Sequence, residues 1–390
     1  MQIRASAATI LPTRASAQSK PAHFPVTSCE LTIASGTRSL EIDTRTLPLP
    51  KKDVNRIVVL GDTGCRIKNG VAQNCDDENA WPFARIAKIS ASLKPDLVVH
   101  VGDYHYRESP CPENSAGCKN SPWGYGWDTW DVDFFQPAVP LFAAAPWVVV
   151  RGNHEECARA GQGWFRFLDT QPYQTERSCD DAAFDLIGNY ADTYAIDLGA
   201  HSQLIVFDSA KAGNQALMPD TPAFAKYQMQ FQQASQLAAK PDMRSIFLAH
   251  HPILAFSEGL PLGGGNAALL SVMQYSHPLT YYPEGVQAAI HGHVHHFQAI
   301  NFASNHPATF VAGNGGDSLA IVPQLDVPLA TPAAHAVVKA ITYHNSFGFM
   351  VMDRLKNGDW LYTAYNDRGH VLTSCMQTGK HIRCDKTGRL

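Results

Sequence analysis

The stretch "RIVVLGDTG", residues 56–64, sets a short apolar, β-branched run directly before a Gly-Asp-Thr-Gly turn. A run of that length with no polar alternation suits a strand buried on both faces. The same construction recurs in "DLVVHVGDY" (96–104), "PWVVVRGNH" (146–154), "RSIFLAHHP" (244–252) and "VQAAIHGHVHHF" (286–297). "SQLIVFDSA" (202–210) and "ATFVAGNGGD" (308–317) read as further members. Helical candidates lie between them, at 77–94 and at 223–240, "AFAKYQMQFQQASQLAAK". Strands alternating with helices indicate an α/β layered fold. Ligands in such folds bind beyond the carboxyl ends of the strands, where the polar clusters of these runs fall.

Two regions depart from this plan. Residues 104–146, which include "SPWGYGWDTWDVDFF", read as a long loop whose tryptophans argue for a small satellite core or a substrate-facing rim. "FGFMVMD" (347–353) and "NGDWLYTAYND" (357–367) read as a hairpin turning at Asn357 and Gly358. Residues 1–28 carry basic but no acidic side chains, and "ASA" at 15–17 resembles a small-residue cleavage site. They are expected to be a leader or flexible tail, followed by an N-terminal β extension over 29–54 and a catalytic domain over 55–390.

The chain has 390 residues, 45% of them apolar, and a net charge of -4. That balance argues against a nucleic-acid partner, which favours a basic face. No apolar run reaches the ~18 residues of a membrane span. Nine cysteines point to an oxidising compartment, so a periplasmic or secreted protein is expected. Cys65 with Cys75, Cys111 with Cys118, Cys157 with Cys179 and Cys375 with Cys384 are plausible local pairs that leave Cys29 over. A structural zinc cluster is the competing reading, but none of the pairs has Cys-x-x-Cys spacing.

The strand ends collect Asp62, Asp103, Tyr106, Asn153, His154, His250, His251, His293 and His295. Aspartate, asparagine, tyrosinate and imidazole together can hold two metal ions, and such pairs serve in-line displacement at phosphorus. Gly61, Gly102, Gly152 and Gly292 each precede a candidate ligand and are expected to permit a sharp turn there.

"GDTG", "GDYHY", "GNHE", "AHHP" and "HGHVH", in that order, resemble the five signature blocks of the calcineurin-like metallophosphoesterases, and within them most nearly the purple acid phosphatases. Asp62-Thr63-Gly64 lacks the histidine usual in the first block, while Tyr106 stands where purple acid phosphatases supply a tyrosinate. The resemblance runs from about residue 56 to about residue 317. It implies a four-layer α-β-β-α sandwich of two mixed β-sheets flanked by helices. It further implies a dinuclear centre, with Fe(III) on Asp62, Asp103, Tyr106 and His295. A divalent zinc, iron or manganese ion would sit on Asp103, Asn153, His250 and His293, with Asp103 bridging.

The implied activity is acid phosphatase: hydrolysis of a small phosphate-ester substrate by metal-bound hydroxide. His154 would orient phosphate and protonate the leaving group, and His251 is a secondary catalytic candidate. His291 and His296 are expected to support a ligand from behind or to lie at the surface rather than to bind metal, and His100 to be a packed core histidine. Asp208 is a ligand support or a structural loop residue. A substrate-facing histidine common in the family after the fourth block has no counterpart in "ILAFSEGLPLGGGN". Glu258, His105 or the tryptophan-rich loop are the candidates to replace it. The stretch before the first block is too short for the ~100-residue β-sandwich that precedes plant-type relatives. A phosphodiesterase or nucleotidase on the same scaffold is the alternative, and a non-catalytic metal-binding protein the more distant one.

Overall fold

Along the strand Arg56–Leu60, alternate side chains enter two different apolar cores. Ile57 and Val59 pack into one, and Val58 and Leu60 into another. This is the period-2 geometry of a strand with no polar face, and it fixes the layer order. The structure, a computed structural model, describes residues 2–7, 23–34, 36–42, 45–257, 263–320 and 331–385.

Two seven-stranded sheets carry the fold. The first runs His381–Cys384, Val371–Thr378, Trp360–Asn366, Gly348–Arg354, Arg56–Leu60, Leu97–His100 and Trp147–Val149, in spatial order. Its last three strands are parallel and the others pair antiparallel. The second runs Tyr194–Gly199, Ser202–Val206, Arg244–Leu248, Val286–His291, Ala308–Ala312, Phe297–Phe302 and Val338–His344. Its second to fifth strands are parallel.

Residues of both sheets, among them Val59, Val99, Leu204, Leu248, Ile290 and Met350, share one buried core, so the sheets pack face to face. The outer face of the first sheet is covered by the helices Phe83–Ser92 and Gln136–Phe142. That of the second is covered by Pro222–Ala238 and Ala267–Ser276. The result is the expected α-β-β-α sandwich of two mixed sheets.

The hairpin at Asn357 and Gly358 forms as expected, pairing Gly348–Arg354 with Trp360–Asn366. The helix expected over 77–94 begins only at Phe83, after Pro82, and that over 223–240 spans Pro222–Ala238. Residues 104–146 are not a loop throughout. Trp127–Trp130, a π turn at Asp131–Phe135 and Gln136–Phe142 form a nearly continuous helical stretch. Its prolines and aromatic density hide the period in the sequence. Trp130 and Phe134 are fully buried beneath it, and Trp127 and Phe135 pack at its edge. These aromatics join Val58, Leu60 and Val98 in the main core over the first sheet rather than forming a separate satellite core.

Near the amino terminus, Gln2–Ala7 pairs with Thr27–Thr32, the strand that holds Cys29. Phe24 is buried against Phe167 at 5.7 Å. No described helix is long and apolar enough to cross a membrane.

All four expected cysteine pairs are disulfides, closing separations of 10, 7, 22 and 9 residues along the chain. Loop-closure entropy makes the longest of these the most stabilising: about 3 kcal/mol for Cys157–Cys179 against about 2 for Cys111–Cys118. Replacing each pair by alanines and comparing urea unfolding should give that order. A reversed order would place the stabilisation in native packing instead.

Candidate metal centre

The backbone ladder between parallel strands continues past their ends and fixes the loops that follow. Asp62 N–H donates to Gly102 O (2.9 Å), Val150 N–H to His100 O (2.8 Å) and Gly292 N–H to His250 O (3.0 Å). Two bonds then tie one sheet to the other. His293 N–H donates to the Asp62 carboxylate at 3.0–3.1 Å, and His250 Nδ1–H donates to Val101 O at 2.9 Å. The second bond fixes the His250 ring so that Nε2 faces inward.

The sharp turns fall on Gly102, at φ +102° as expected, and on candidate ligands themselves. Asp62, Asp103 and His293 have φ of +57°, +58° and +70°, a region few non-glycine residues occupy and one that concentrates at functional sites. Gly152 and Gly292 serve close approach rather than turning, because both have ordinary negative φ. A Cβ on Gly152 would strike the Asp103 backbone and carboxylate, and one on Gly292 would lie 2.5 Å from Asp62 Oδ2.

All seven candidate ligands converge, in two groups that share Asp103. On one side Tyr106 Oη lies 3.0 Å from Asp62 Oδ1, 2.9 Å from Asp103 Oδ2 and 3.1 Å from His295 Nε2. On the other, His250 Nε2 lies 3.1 Å from Asp103 Oδ2 and 3.0 Å from Asn153 Oδ1, and His293 Nδ1 lies 3.0 Å from the same Asn153 oxygen. Donor atoms of Asp103, His250 and His293 all fall within 4.8 Å of one another. Asn153 and His293 are half-buried and the other five are buried, so the centre opens on the Asn153 side.

The electrostatics call for a cation. Burial alone would lower the pKa of His250, yet the Asp103 carboxylate overrides it and lifts the imidazole to about 9. For His295, burial is likewise overcome by Asp317 and Asp62, again to about 9. Burial and the carboxylates of Asp103 and Asp62 raise Tyr106 well above the ordinary phenol range. Three buried carboxylates, Asp103, Asp62 and Asp317, thus draw protons onto two histidines, a role that metal ions fill equally well. Oxygen ligands outnumber imidazole three to one in the Tyr106 group, whereas the His250 group has two of each.

Around this core sit residues the sequence did not single out. The Glu155 carboxylate accepts N–H bonds from Asp103, Tyr104, His105 and Gly152 at 2.8–3.3 Å, clamping the second loop to the third. Asp317 lies 3.2 Å from His295 Nδ1 and pairs with Arg66. Glu108 lies 2.7 Å from His154 Nδ1 and pairs with Arg159, whose Nη1 donates to Asn153 O at 3.0 Å. Glu155 closes the "GNHE" block, Glu108 follows Tyr106 by two positions and Asp317 ends "GNGGD", whereas nothing in the sequence marks Arg159.

His154 packs tilted against Tyr106 with ring centroids 3.9 Å apart, and its Nε2 lies 3.8 Å from Asp103 Oδ2. His251 lies against His293, with centroids 4.4 Å apart, and its Nδ1 is 3.1 Å from Ser209 Oγ. His291 and His296 are buried away from the surface: His291 bonds Ala249 O at 2.9 Å, and His296 meets the Gln298 side chain at 2.5 Å. His105 faces neither solvent nor the centre, being buried between Tyr125 and Trp130. His100 is a core residue stacked on Tyr104, as its position before a strand end suggested. Asp208 accepts N–H bonds from Ala210 in its own loop and from Ala191, and pairs with Arg151 at 3.4 Å. Glu258 lies outside the described residues.

Comparison with known proteins agrees with this architecture. Residues 55–297 match the sequence model of the calcineurin-like phosphoesterases. Among solved structures, the fold is similar to that of purple acid phosphatase PPD1 from yellow lupin (Lupinus luteus) seeds. The TM-score is 0.55 at 17% identity, covering 91% of this chain and 57% of that one. It is also similar to PhoD, with a TM-score of 0.50 at 12% identity over 87% of this chain and 73% of that one. The chain thus spans little more than half the length of the lupin enzyme, and no curated protein matches its sequence. With a family match across well over half of its residues, on a sandwich whose strand ends carry the family's signature blocks in order, the chain belongs to the calcineurin-like phosphoesterases.

Proposed function

We propose that the chain is an acid phosphatase that hydrolyses phosphate monoesters at a dinuclear Fe(III)–M(II) centre. The observation that carries this reading is the convergence of two ligand groups on the single carboxylate of Asp103. Asp62, Tyr106 and His295, with Asp103, would hold the ferric ion. Asn153, His250 and His293, with the same Asp103, would hold zinc, ferrous iron or manganese. Such a pair supplies Lewis acidity and a water of lowered pKa.

The protein's own part is to place the ester and manage a proton. His154 Nδ1–H donates to His105 O at 2.8 Å, with Glu108 2.7 Å from the same nitrogen, and this turns Nε2 toward the centre. His154 then orients the phosphoryl group and protonates the departing alkoxide. His251, on the His293 side, provides a second contact to phosphate. The four disulfides support a periplasmic or secreted site of action. The catalytic domain is taken as residues 55–390.

His154→Ala should lower turnover of an alkyl phosphate by roughly 10²–10³-fold while metal content is retained. The loss should be smaller on an aryl ester whose leaving group needs no proton. Equal losses on both esters would remove the acid role. Tyr106→Phe should abolish a visible charge-transfer band, whereas an active, colourless, iron-free protein would exclude the ferric assignment. Parallel assay of an aryl monoester and its diester across pH should show monoester turnover, strongest in mild acid and lost on chelation. Diester preference would move the assignment to a phosphodiesterase.

A further inference from the structure

A short hairpin, Ile67–Lys68 with Val71–Ala72, stands beside the Tyr106 edge of the centre, and the Cys65–Cys75 disulfide closes its base. It is fastened to the loop that carries Tyr106. Ile67 N–H donates to Tyr106 O at 3.1 Å, and Glu108 and Ser109 return N–H bonds to Ile67 O at 2.9 and 3.1 Å. The flanking side chains are therefore presented in a fixed place rather than on a mobile arm.

Those side chains are cationic. Arg66 lies over the Tyr106 ring with its guanidinium carbon 5.3 Å from the centroid. Lys68 Nζ reaches Glu108 Oε2 at 3.4 Å, and Arg159 joins the same carboxylate from the loop after Asn153. Three cations thus share two carboxylates, Glu108 and Asp317, and each carboxylate already has a histidine to hold, His154 and His295. Lys68 is the least satisfied of the three. Its one anionic partner among the described residues sits beyond the 2.7–2.9 Å of a good charge-assisted bond, and its side chain is 31% exposed. Arg159, by contrast, is committed to Glu108 and Asn153 O. The rim next to His154 carries surplus positive charge on a braced backbone, an arrangement that is favourable when an anion completes it.

We propose that Lys68, backed by Arg66 and Arg159, forms a subsite for a second phosphate of the substrate, so that the enzyme prefers esters bearing another phosphate a few bonds from the scissile one. The inference rests on the centre receiving the first phosphoryl group, as proposed above.

The test is calorimetric binding of two non-hydrolysable probes, propylphosphonate and propane-1,3-bisphosphonate, to the metal-loaded protein and to its Lys68→Met and Lys68→Glu variants. The bisphosphonate should bind the parent protein at least about tenfold more tightly, the worth of one added charge-assisted contact. That advantage should largely vanish in Lys68→Met and reverse in Lys68→Glu. An equal advantage in all three proteins would put the second phosphonate on the metals and overturn the proposal, as would no advantage in the parent. Turnover of an aryl monoester reads the phosphatase function separately. A protein that hydrolyses no ester but shows the Lys68-dependent preference would refute the activity and keep the subsite.

Discussion

The carboxylate of Asp103 lies where side chains from both sheets reach it. Oδ2 faces Tyr106 Oη on one side and His250 Nε2 on the other, while Oδ1 accepts the backbone N–H of His154 at 2.8 Å. Every other feature of the centre follows from holding that one group in place. The residue adopts φ +58°, a conformation costing of order 1–3 kcal/mol for a non-glycine residue that persists only when its surroundings fix it. Here they do. Glu155 binds the backbone N–H of Asp103 and of the two residues after it, and the bare backbone of Gly152 lies against it.

The sandwich supplies the rest of the constraint. Parallel strands of the two sheets end at the same edge, and cross-sheet bonds from His293 to Asp62 and from His250 to Val101 keep those ends in register. Because the shared core between the sheets is apolar and buried throughout, the polar strand ends have only each other to satisfy their charge and hydrogen bonds. A pocket of carboxylates, phenol and imidazoles built this way is preorganised for cations, and it raises the pKa of His250 and His295 when protons must take their place.

The α/β layering and the gathering of polar residues at the strand ends were legible because both depend on short-range patterns, short apolar runs with polar residues at fixed offsets after them. The four-layer order and the ligand grouping came from the resemblance of the five blocks. The helical stretch Trp127–Phe142 was not legible, since Pro137 and Pro140 read as breakers and its burial is a tertiary effect. Gly102 turns as expected, but the role of Gly152 and Gly292 was misread for a similar reason. Sequence shows that Gly152 precedes Asn153, but not that the Asp103 carboxylate lies against it from a loop some fifty residues away in the chain. Glu155 and Asp317 stood inside quoted segments, and Glu108 two residues beyond one, without a signal of their own. Arg159 and the cationic hairpin emerge only once the loops are folded together.

The central claim is that one carboxylate serves two metal positions. Anomalous diffraction from crystals of the protein, recorded on either side of the iron and zinc absorption edges, tests it most directly. The account predicts two separate peaks that both touch Asp103. One should lie against Asp62, Tyr106 and His295, the other against Asn153, His250 and His293. A single peak confined to Asp103, His250 and His293, or two peaks of which one avoids Asp103, would contradict it.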